Sequence, residues 1–176
     1  MRLFFALWPP ESAAQALAGQ ADFLAQQYGG KATRRETIHL TLAFLGEVDE
    51  ALLPAAIQAA RVVTGKSFEL VIDRLGYWRH NRLLWAGCAS PAEELQMLVE
   101  TLREQLRAVS ICQDEKQRFT PHLTLVRKVP DMRGSVELGT IEPISWLCRS
   151  FVLVCSQLTS AGSDYSAVAE FSLAKR

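Results

Sequence analysis

The sequence predicts an α+β domain of mostly antiparallel strands, and three observations favour that class. Strand-like and helix-like segments alternate along 176 residues, one short motif occurs twice, and no linker or low-complexity segment divides the chain. Because a domain typically holds about 150 residues, this length predicts one domain over residues 1–176. Hydrophobic residues make up 49% and charged residues 22%, a globular composition that excludes a disordered or fibrous chain.

The first elements follow directly from composition and periodicity. Residues 2–8 are rich in Phe and Leu, which predicts a strand. The Ala/Gln/Leu-rich run over residues 11–28 predicts a helix that ends at Gly29. Alternation of apolar and polar residues returns over residues 37–45 and predicts a second strand.

The middle of the chain predicts two strands between two helices. Asp49 is a suitable N-cap for a helix over residues 50–63. Residues 68–75 and 83–88 predict two strands around a polar turn. Ser90 is expected to cap a helix over residues 91–109, in which leucines recur at helical spacing.

The last third of the chain predicts strands only. Residues 118–126 alternate in the same way as the second strand. Residues 144–159 and 167–173 predict two closing strands around a turn at residues 161–164. Together the elements predict an α+β domain with mostly antiparallel strands.

Two segments of the chain are almost identical. Residues 37–42 read Thr-Ile-His-Leu-Thr-Leu and residues 120–125 read Thr-Pro-His-Leu-Thr-Leu, so five of six positions match. The two histidines are 83 residues apart, close to half of the chain. This spacing favours an internal duplication, in which two similar lobes each contribute a central strand to a shared cleft.

The repeated motif carries chemistry because strand side chains alternate between two faces. His39 and Thr41 share one face, as do His122 and Thr124, while the leucines point to the core. An imidazole, with a reference pKa of about 6.5, suits proton transfer near neutrality. Two of them across a cleft can hold opposite protonation states, and the hydroxyls can donate to phosphate oxygens. The pattern favours phosphodiester cleavage over the alternative, a merely polar strand face.

The paired motifs resemble those of a known family. Two His-x-Thr-x motifs half a chain apart, the opening Arg-Leu-Phe-Phe-Ala-Leu at residues 2–7 and the stretch at residues 121–127 are similar to bacterial RNA 2′,3′-cyclic phosphodiesterases. These enzymes, also called 2′-5′ RNA ligases, belong to the two-histidine phosphoesterase superfamily. The resemblance covers essentially the whole chain and implies a bilobal, pseudo-duplicated fold, with two sheets and outer helices around a central groove.

The resemblance also implies an activity and roles for the residues that match. The implied reaction is metal-independent hydrolysis of an RNA 2′,3′-cyclic phosphate to a 2′-phosphate, with ATP-independent, reversible 2′-5′ joining as the other family activity. His39 would donate a proton to the departing 3′ oxygen and His122 would activate water. Thr41 and Thr124 would bind the phosphate. The motifs themselves cannot order the two histidines, because they are identical.

A basic residue that follows the second motif is associated with the phosphate in that family. Here it is Arg127, five positions after His122, so an undistorted strand would direct it to the opposite face. A bulge or a strand end would redirect it. Phe44 and Phe119 are at similar odd offsets and are predicted to belong to the core, with stacking on a base at the mouth of the groove as the alternative.

Charge and cysteine content restrict the partners. The 19 Lys and Arg residues balance 19 Asp and Glu, so a contact limited to an RNA end, such as a tRNA fragment with a cyclic phosphate, is expected rather than a long duplex. The four cysteines form no Cys-x-x-Cys pair, which favours reduced thiols and a cytoplasmic protein. No apolar run reaches the roughly 20 residues that a membrane span needs. We expect a monomer without a cofactor.

Other functions remain open at this level. A metal hydrolase would need three or four convergent ligands, and the chain has only three histidines. A related enzyme that acts on a small nucleotide cyclic phosphate, or a non-catalytic module that binds RNA ends, would fit the same fold. The aromatic and basic turn at residues 77–82, which includes His80, and the pair Arg34-Arg35 suit either RNA contact or a solvated loop.

Overall fold

The computed structural model describes residues 1–111, 119–130, 132, 138–160 and 162–175. Its helices are α1 (Glu11–Tyr28), α2 (Leu53–Arg61) and α3 (Glu93–Ala108). Its strands are β1 (Arg2–Leu7), β2 (Lys31–Ala32), β3 (Leu40–Glu47), β4 (Phe68–Trp78), β5 (Leu83–Gly87), β6 (His122–Arg127), β7 (Thr140–Cys148), β8 (Ser150–Thr159) and β9 (Gly162–Ser172). All the strand pairings are antiparallel, which confirms the predicted α+β class.

The strands divide into two halves that meet at one point. Their order is β7-β4-β5-β6-β3-β1-β8-β9, and the two-residue β2 also pairs with β6, at Val126 and Arg127. The central step from β6 to β3 consists of one residue pair, Leu40 with Leu123. The two expected sheets are therefore joined into one continuous strand order by a single contact, and the strands splay apart on either side of it.

That pair sets the register of the two repeated motifs. In an antiparallel register, a pair of Leu40 with Leu123 places one histidine opposite the threonine of the other motif. Both leucines are fully buried, so the histidines and threonines lie on the other face. The motifs are thus related by an approximate two-fold axis through the leucine pair.

The helices cross from one half to the other. Helix α1 follows β1 but packs against β6 and β7. Helices α2 and α3 pack on each other and against β9 and β3, although α3 follows β5. Helices α1 and α3 therefore each cover the half opposite to the strand that they follow, and one hydrophobic core runs through both halves.

The structure confirms several predicted elements and shows why others differ. Helix α1 has the predicted bounds, and Gly29 ends it with a φ of 75°, which suits glycine. The carboxylate of Asp49 accepts a hydrogen bond from the amide of Ala51 at 2.9 Å, as expected of an N-cap. The predicted helix over 50–63, however, is a 3-10 turn at Glu50–Leu52 followed by the shorter α2.

Three strand or cap predictions were wrong. Ser90 does not cap α3: the N-cap is Ala92, whose carbonyl accepts from the amides of Leu95 and Gln96 and whose side chain makes no capping hydrogen bond. The predicted strand over 144–159 is two strands, β7 and β8, that break at Arg149, because sixteen residues exceed the usual strand length of about 3–10. The predicted strand over 37–45 starts only at Leu40, since residues Arg35–Thr37 form a 3-10 turn.

Some predictions lie partly outside the described residues. These are the start of the predicted strand at Arg118, Ala161 in the predicted turn, and Cys112. Within the described chain, no helix is long and apolar enough to cross a membrane. No group of three or more His, Cys, Asp or Glu side chains converges in this part of the chain either.

Candidate functional site

Both repeated histidines are held by the same backbone contact. Nδ1 of His39 lies 2.8 Å from the carbonyl oxygen of Thr37, and Nδ1 of His122 lies 2.8 Å from the carbonyl oxygen of Thr120. A carbonyl oxygen only accepts, so Nδ1 carries the hydrogen in each ring. Nε2 is therefore the nitrogen of each ring that can take up or release a proton.

The two histidines line one cleft of about 290 Å³ between the halves. All five residues predicted from sequence reach this cleft. Its lining consists of Thr33, Thr37, His39, Thr41, Phe44, Leu83, His122, Thr124 and Arg127. The register through the leucine pair thus brings together one imidazole and one hydroxyl from each half.

Arg127 reaches the cleft because β6 contains a bulge. Thr124 and Val126 pair with consecutive residues of β5, which leaves Leu125 without a partner across the strand. One extra residue reverses the alternation of faces. Leu125 and Val126 are therefore both buried, and Arg127 points to the same side as His122.

The same bulge in β3 overturns the prediction that Phe44 is a core residue. Thr41 and Ala43 pair with consecutive residues of β1, so Leu42 is the unpaired residue, three positions after its histidine as in β6. Phe44 is consequently 45% exposed and lines the cleft. The guanidinium of Arg2 lies 5.1 Å from the centre of its ring.

His39 has aromatic neighbours from two other strands. The rings of Phe4 and Trp8 stack on its imidazole, with centroids 4.8 and 5.1 Å away. Tyr165 from β9 meets it edge-on at 5.4 Å. The sequence did not single out Trp8 or Tyr165, since neither stands near a motif. They reach His39 only through the pairing of β1 with β3 and β8, and of β8 with β9.

His122 has a different aromatic neighbour. The ring of Trp78, at the end of β4, meets its imidazole edge-on with centroids 4.4 Å apart. Trp78 belongs to the aromatic and basic turn at residues 77–82, whose sequence suits either RNA contact or a solvated loop. The turn thus contacts His122 through Trp78, whereas His80, whose ring is 6.1 Å from that of Trp78, does not line the cleft.

Burial lowers the pKa of both imidazoles. Burial is the main cause for His39, whose pKa falls to about 4, and the positive charges of Arg127 and of a protonated His122 lower it further. Burial and Arg127 also lower the pKa of His122. In each case only the hydrogen bond to the backbone carbonyl acts in the opposite direction. Both rings are therefore neutral at pH 7 in the free protein, and a bound anion would favour protonation.

The cleft opens into two larger pockets of different character. The first, of about 450 Å³, is termed the cationic pocket after its basic residues, Arg2, Lys31, Arg34, Arg127 and Lys128. The second, of about 550 Å³, is termed the aromatic pocket after Trp78, His80 and Phe119. No carboxylate is among the described residues that line the cleft or either pocket.

The remaining residues singled out from sequence have structural contacts. Arg34 donates to the carbonyl oxygen of Ser163 at 2.8 Å, and Arg35 forms an ion pair with Glu11. Phe119 is half-buried and packs against the core, as predicted, although one side faces the aromatic pocket.

Comparisons with known proteins agree with the geometry. Residues 8–157 match the family model described as the 2′-5′ RNA ligase superfamily. The chain is 31% identical to the RNA 2′,3′-cyclic phosphodiesterase of Escherichia coli (strain K12), over 98% of this chain and 96% of that protein. It is 33% identical to the protein of the same name from Thermus thermophilus, over 98% and 90% of the two chains.

Solved structures show the same fold. The crystal structure of E. coli LigT in apo form superposes with a TM-score of 0.86 at 26% identity, covering 98% of this chain and 97% of that one. LigT complexed with 3′-AMP superposes equally well, with a TM-score of 0.86, 27% identity and the same coverage. The resemblance found from the motifs is thereby confirmed.

Proposed function

Since this chain belongs to the 2′-5′ RNA ligase superfamily, we propose that it hydrolyses RNA 2′,3′-cyclic phosphate ends to 2′-phosphate ends by two-histidine acid–base catalysis. The relatives named RNA 2′,3′-cyclic phosphodiesterase support the substrate and the reaction. One structural observation carries the mechanism: two imidazoles, each with Nε2 available, line one cleft together with Arg127.

The reaction begins with the cyclic phosphate in the cleft, where Arg127 supplies positive charge. The hydroxyls of Thr41 and Thr124 donate to the non-bridging oxygens. Nε2 of His122 takes a proton from water, and the water oxygen attacks phosphorus. The bond between phosphorus and O3′ breaks, and the protonated Nε2 of His39 delivers its proton to O3′. The products are a 2′-phosphate and a free 3′ hydroxyl. General acid–base catalysis typically contributes about 10²–10⁴-fold.

The surroundings of His39 support its role as the acid. In the free protein its pKa of about 4 leaves it neutral at pH 7. The bound phosphate monoanion raises that pKa, so the imidazolium forms when the substrate is present, and the rings of Phe4 and Trp8 hold the imidazole in position. With the 5′ hydroxyl of a second RNA in place of water, the same steps produce a 2′-5′ phosphodiester without ATP.

The wider expectations follow from the same proposal. The catalytic unit is residues 1–176 as one two-lobed domain, because the helices cross between the halves. It acts as a monomer, in the cytoplasm, on RNA ends such as tRNA fragments, and without a metal or cofactor. The described cysteines Cys88, Cys148 and Cys155 are free thiols, and burial raises the pKa of Cys88 to about 11, which suits a reducing compartment.

The test is incubation of EDTA-treated protein with an RNA oligonucleotide that ends in a 2′,3′-cyclic phosphate. We expect a product one water heavier by mass spectrometry that resists a phosphatase specific for 3′ ends. His39→Ala and His122→Ala should each lower turnover by about 10²–10⁴-fold. His80→Ala, at the third and exposed histidine, is the matched control and should lower it less than about 10-fold. A 3′-phosphate product, a requirement for added metal, or full activity in either histidine variant would contradict the proposal.

A further inference from the structure

The cationic pocket concentrates positive charge in a chain whose formal net charge is zero. It extends from the cleft past Arg127 and has about 450 Å³ of space, more than the 290 Å³ of the cleft itself. Like charges held close together repel one another, so an arrangement of this kind favours binding of an anion. The cleft chemistry needs only one of these cations, and the others have no role in it.

The backbone places these cations next to each other. Lys31 on β2 is directly opposite Arg127 on β6. This pairing depends on Gly30, which has a φ of 97° and at which a Cβ would lie 2.7 Å from the carbonyl oxygen of Arg127. Any side chain at residue 30 would push β2 away from β6. Lys31 is therefore fixed beside Arg127 by the strand pairing, rather than by the reach of a flexible side chain.

Lys128 is fixed in a similar way at the end of β6. It adopts a φ of 56°, a left-handed conformation that is uncommon for residues other than glycine. The next residue, Val129, donates its amide to the carbonyl oxygen of Arg82 at 3.1 Å, and Nε of Arg82 donates back to its carbonyl oxygen at 2.7 Å. The turn at residues 77–82 thus holds the chain at Lys128, which lines the cationic pocket.

Most of these cations lack a charged partner. Within the described chain, no carboxylate lies within ion-pair distance of Arg2, Lys31, Arg127 or Lys128. Arg34 differs, since it is 3.4 Å from Glu36. Four positive charges in one pocket are thus available to an incoming polyanion.

The other walls of the pocket suit the sugars and bases of that polyanion. Leu158 is 77% exposed, and Tyr165 and Phe44 also line the pocket. A nucleoside cyclic phosphate has a single phosphate, which the cleft already holds. An RNA strand continues with further phosphodiesters from the 5′ side of its last nucleotide, and these are the charges that would lie beyond Arg127.

We propose that the cationic pocket binds the phosphodiesters on the 5′ side of the cyclic phosphate, so that the enzyme prefers an oligoribonucleotide to a nucleoside cyclic phosphate. This inference rests on the proposed function for what the cleft holds. Lys31 and Lys128 are the specificity-determining residues. They act on binding of the strand and take no part in proton transfer.

The test compares two substrates with the same reactive end, adenosine 2′,3′-cyclic monophosphate and an oligoadenylate that ends in the same cyclic phosphate. The double variant Lys31→Gln/Lys128→Gln is expected to raise KM for the oligoadenylate about 10-fold and to leave its kcat unchanged, because two phosphate contacts are lost. The plot of log kcat/KM against log salt concentration should become shallower by about 1.4, which is roughly 0.7 for each contact on a single strand. Both KM and kcat for adenosine 2′,3′-cyclic monophosphate should stay at their wild-type values.

The matched control is Lys66→Gln/Lys175→Gln, which removes the same charge at two exposed lysines outside the cleft and both pockets. It should leave both substrates unaffected. Equal loss on both substrates would overturn the inference by placing the lysines in the cleft chemistry, and so would an unchanged KM for the oligoadenylate.

A second readout separates this inference from the proposed function. If the wild-type protein hydrolyses neither substrate, the proposed function fails. In that case, fluorescence anisotropy with a labelled oligoadenylate that ends in a 2′-phosphate still measures binding of the strand to the cationic pocket. Weaker binding by the Lys31/Lys128 variant than by the control variant would support the inference that the cationic pocket binds phosphodiesters. Equal binding by the two variants would overturn that inference.

Discussion

The two halves of the molecule hold their histidines by the same backbone geometry but surround them with different side chains. In both, Nδ1 donates to the carbonyl oxygen two residues earlier at 2.8 Å. In both, the residue three positions after the histidine is the unpaired residue of a bulge. The fifth residue after each histidine therefore reaches the cleft, but it is Phe44 in one half and Arg127 in the other.

This difference shows which features the duplication preserves and which have diverged. The orientation of the imidazoles comes from local backbone geometry, which both copies keep. The aromatic side chains that contact the imidazoles come from elsewhere in the chain and differ between the halves. His39 has two stacked aromatic rings and one edge-on contact, whereas His122 has a single edge-on contact among the described residues. Equivalent positions can thus support unequal roles in one reaction.

The largest expected contrast is at the fifth residue after each histidine. Arg127→Ala should lower kcat/KM by about 10–100-fold, because a hydrogen bond to a charged group contributes roughly 1.5–3 kcal/mol. Phe44→Ala should lower it by only about 2–5-fold, since it removes apolar contact without charge. Steady-state hydrolysis of one oligonucleotide measures both. Equal losses in the two variants would show that the two halves contribute alike at this position.

A smaller and symmetrical effect is expected at the two threonines. Thr41→Val and Thr124→Val keep the side-chain shape and remove one hydroxyl each, which should lower kcat/KM about 10-fold in either half. Parallel assays of the two variants measure this. A covalent phosphothreonine detected by mass spectrometry, or complete loss in only one variant, would instead indicate a threonine nucleophile.

The pH dependence should reflect the lowered pKa values of both histidines. One imidazole must be protonated and the other neutral, so kcat/KM should follow a bell with an optimum below the ordinary histidine pKa of about 6.5. Activity falls as pH rises, because the acid loses its proton. The profile of kcat should lie at higher pH, since the bound phosphate raises both pKa values. A kcat/KM optimum above about pH 7.5 would contradict the burial of the pair.

The smallest expected effects separate the aromatic neighbours. Trp8→Leu should raise the pKa of His39 by about 0.5–1 unit by admitting water, and leave that of His122 nearly unchanged. Trp78→Leu should act in the same way on His122 alone. The chain has three histidines, so NMR titration of their ring protons can follow each one. A shift of both pKa values in either variant would show that the rings do not act separately.

The sequence was sufficient for the existence of the two motif-bearing strands, though not for the start of β3, and also for helix α1 and for the two histidines in one cleft. These features depend on local alternation and on a repeat that matches at five of six positions. The bulges were not predicted, although two adjacent apolar residues, Leu42-Ala43 and Leu125-Val126, mark both of them. Strict alternation of faces therefore predicted that Phe44 lies in the core. For Arg127, a bulge in the strand was only one of the alternatives that the sequence left open.

Contacts between distant strands could not be predicted from the sequence, for a different reason. Trp8 and Tyr165 contact His39 only because β1 pairs with β3 and β8, and β8 pairs with β9. Lys31 joins the cationic pocket only because the two-residue strand β2 pairs with β6. Such pairings depend on the packing of the whole sheet, and no local pattern in the sequence encodes them.

The most direct measurement of the shared proton-transfer mechanism is a double-mutant cycle on the two histidines. Single-turnover hydrolysis of a cyclic-phosphate oligonucleotide would be compared for His39→Ala, His122→Ala and the double variant, all treated with EDTA. Groups that act as one unit lose their contribution together, so the double variant should be no slower than the slower single variant. If the two losses multiply instead, the histidines act independently and the cleft does not work as an acid–base pair.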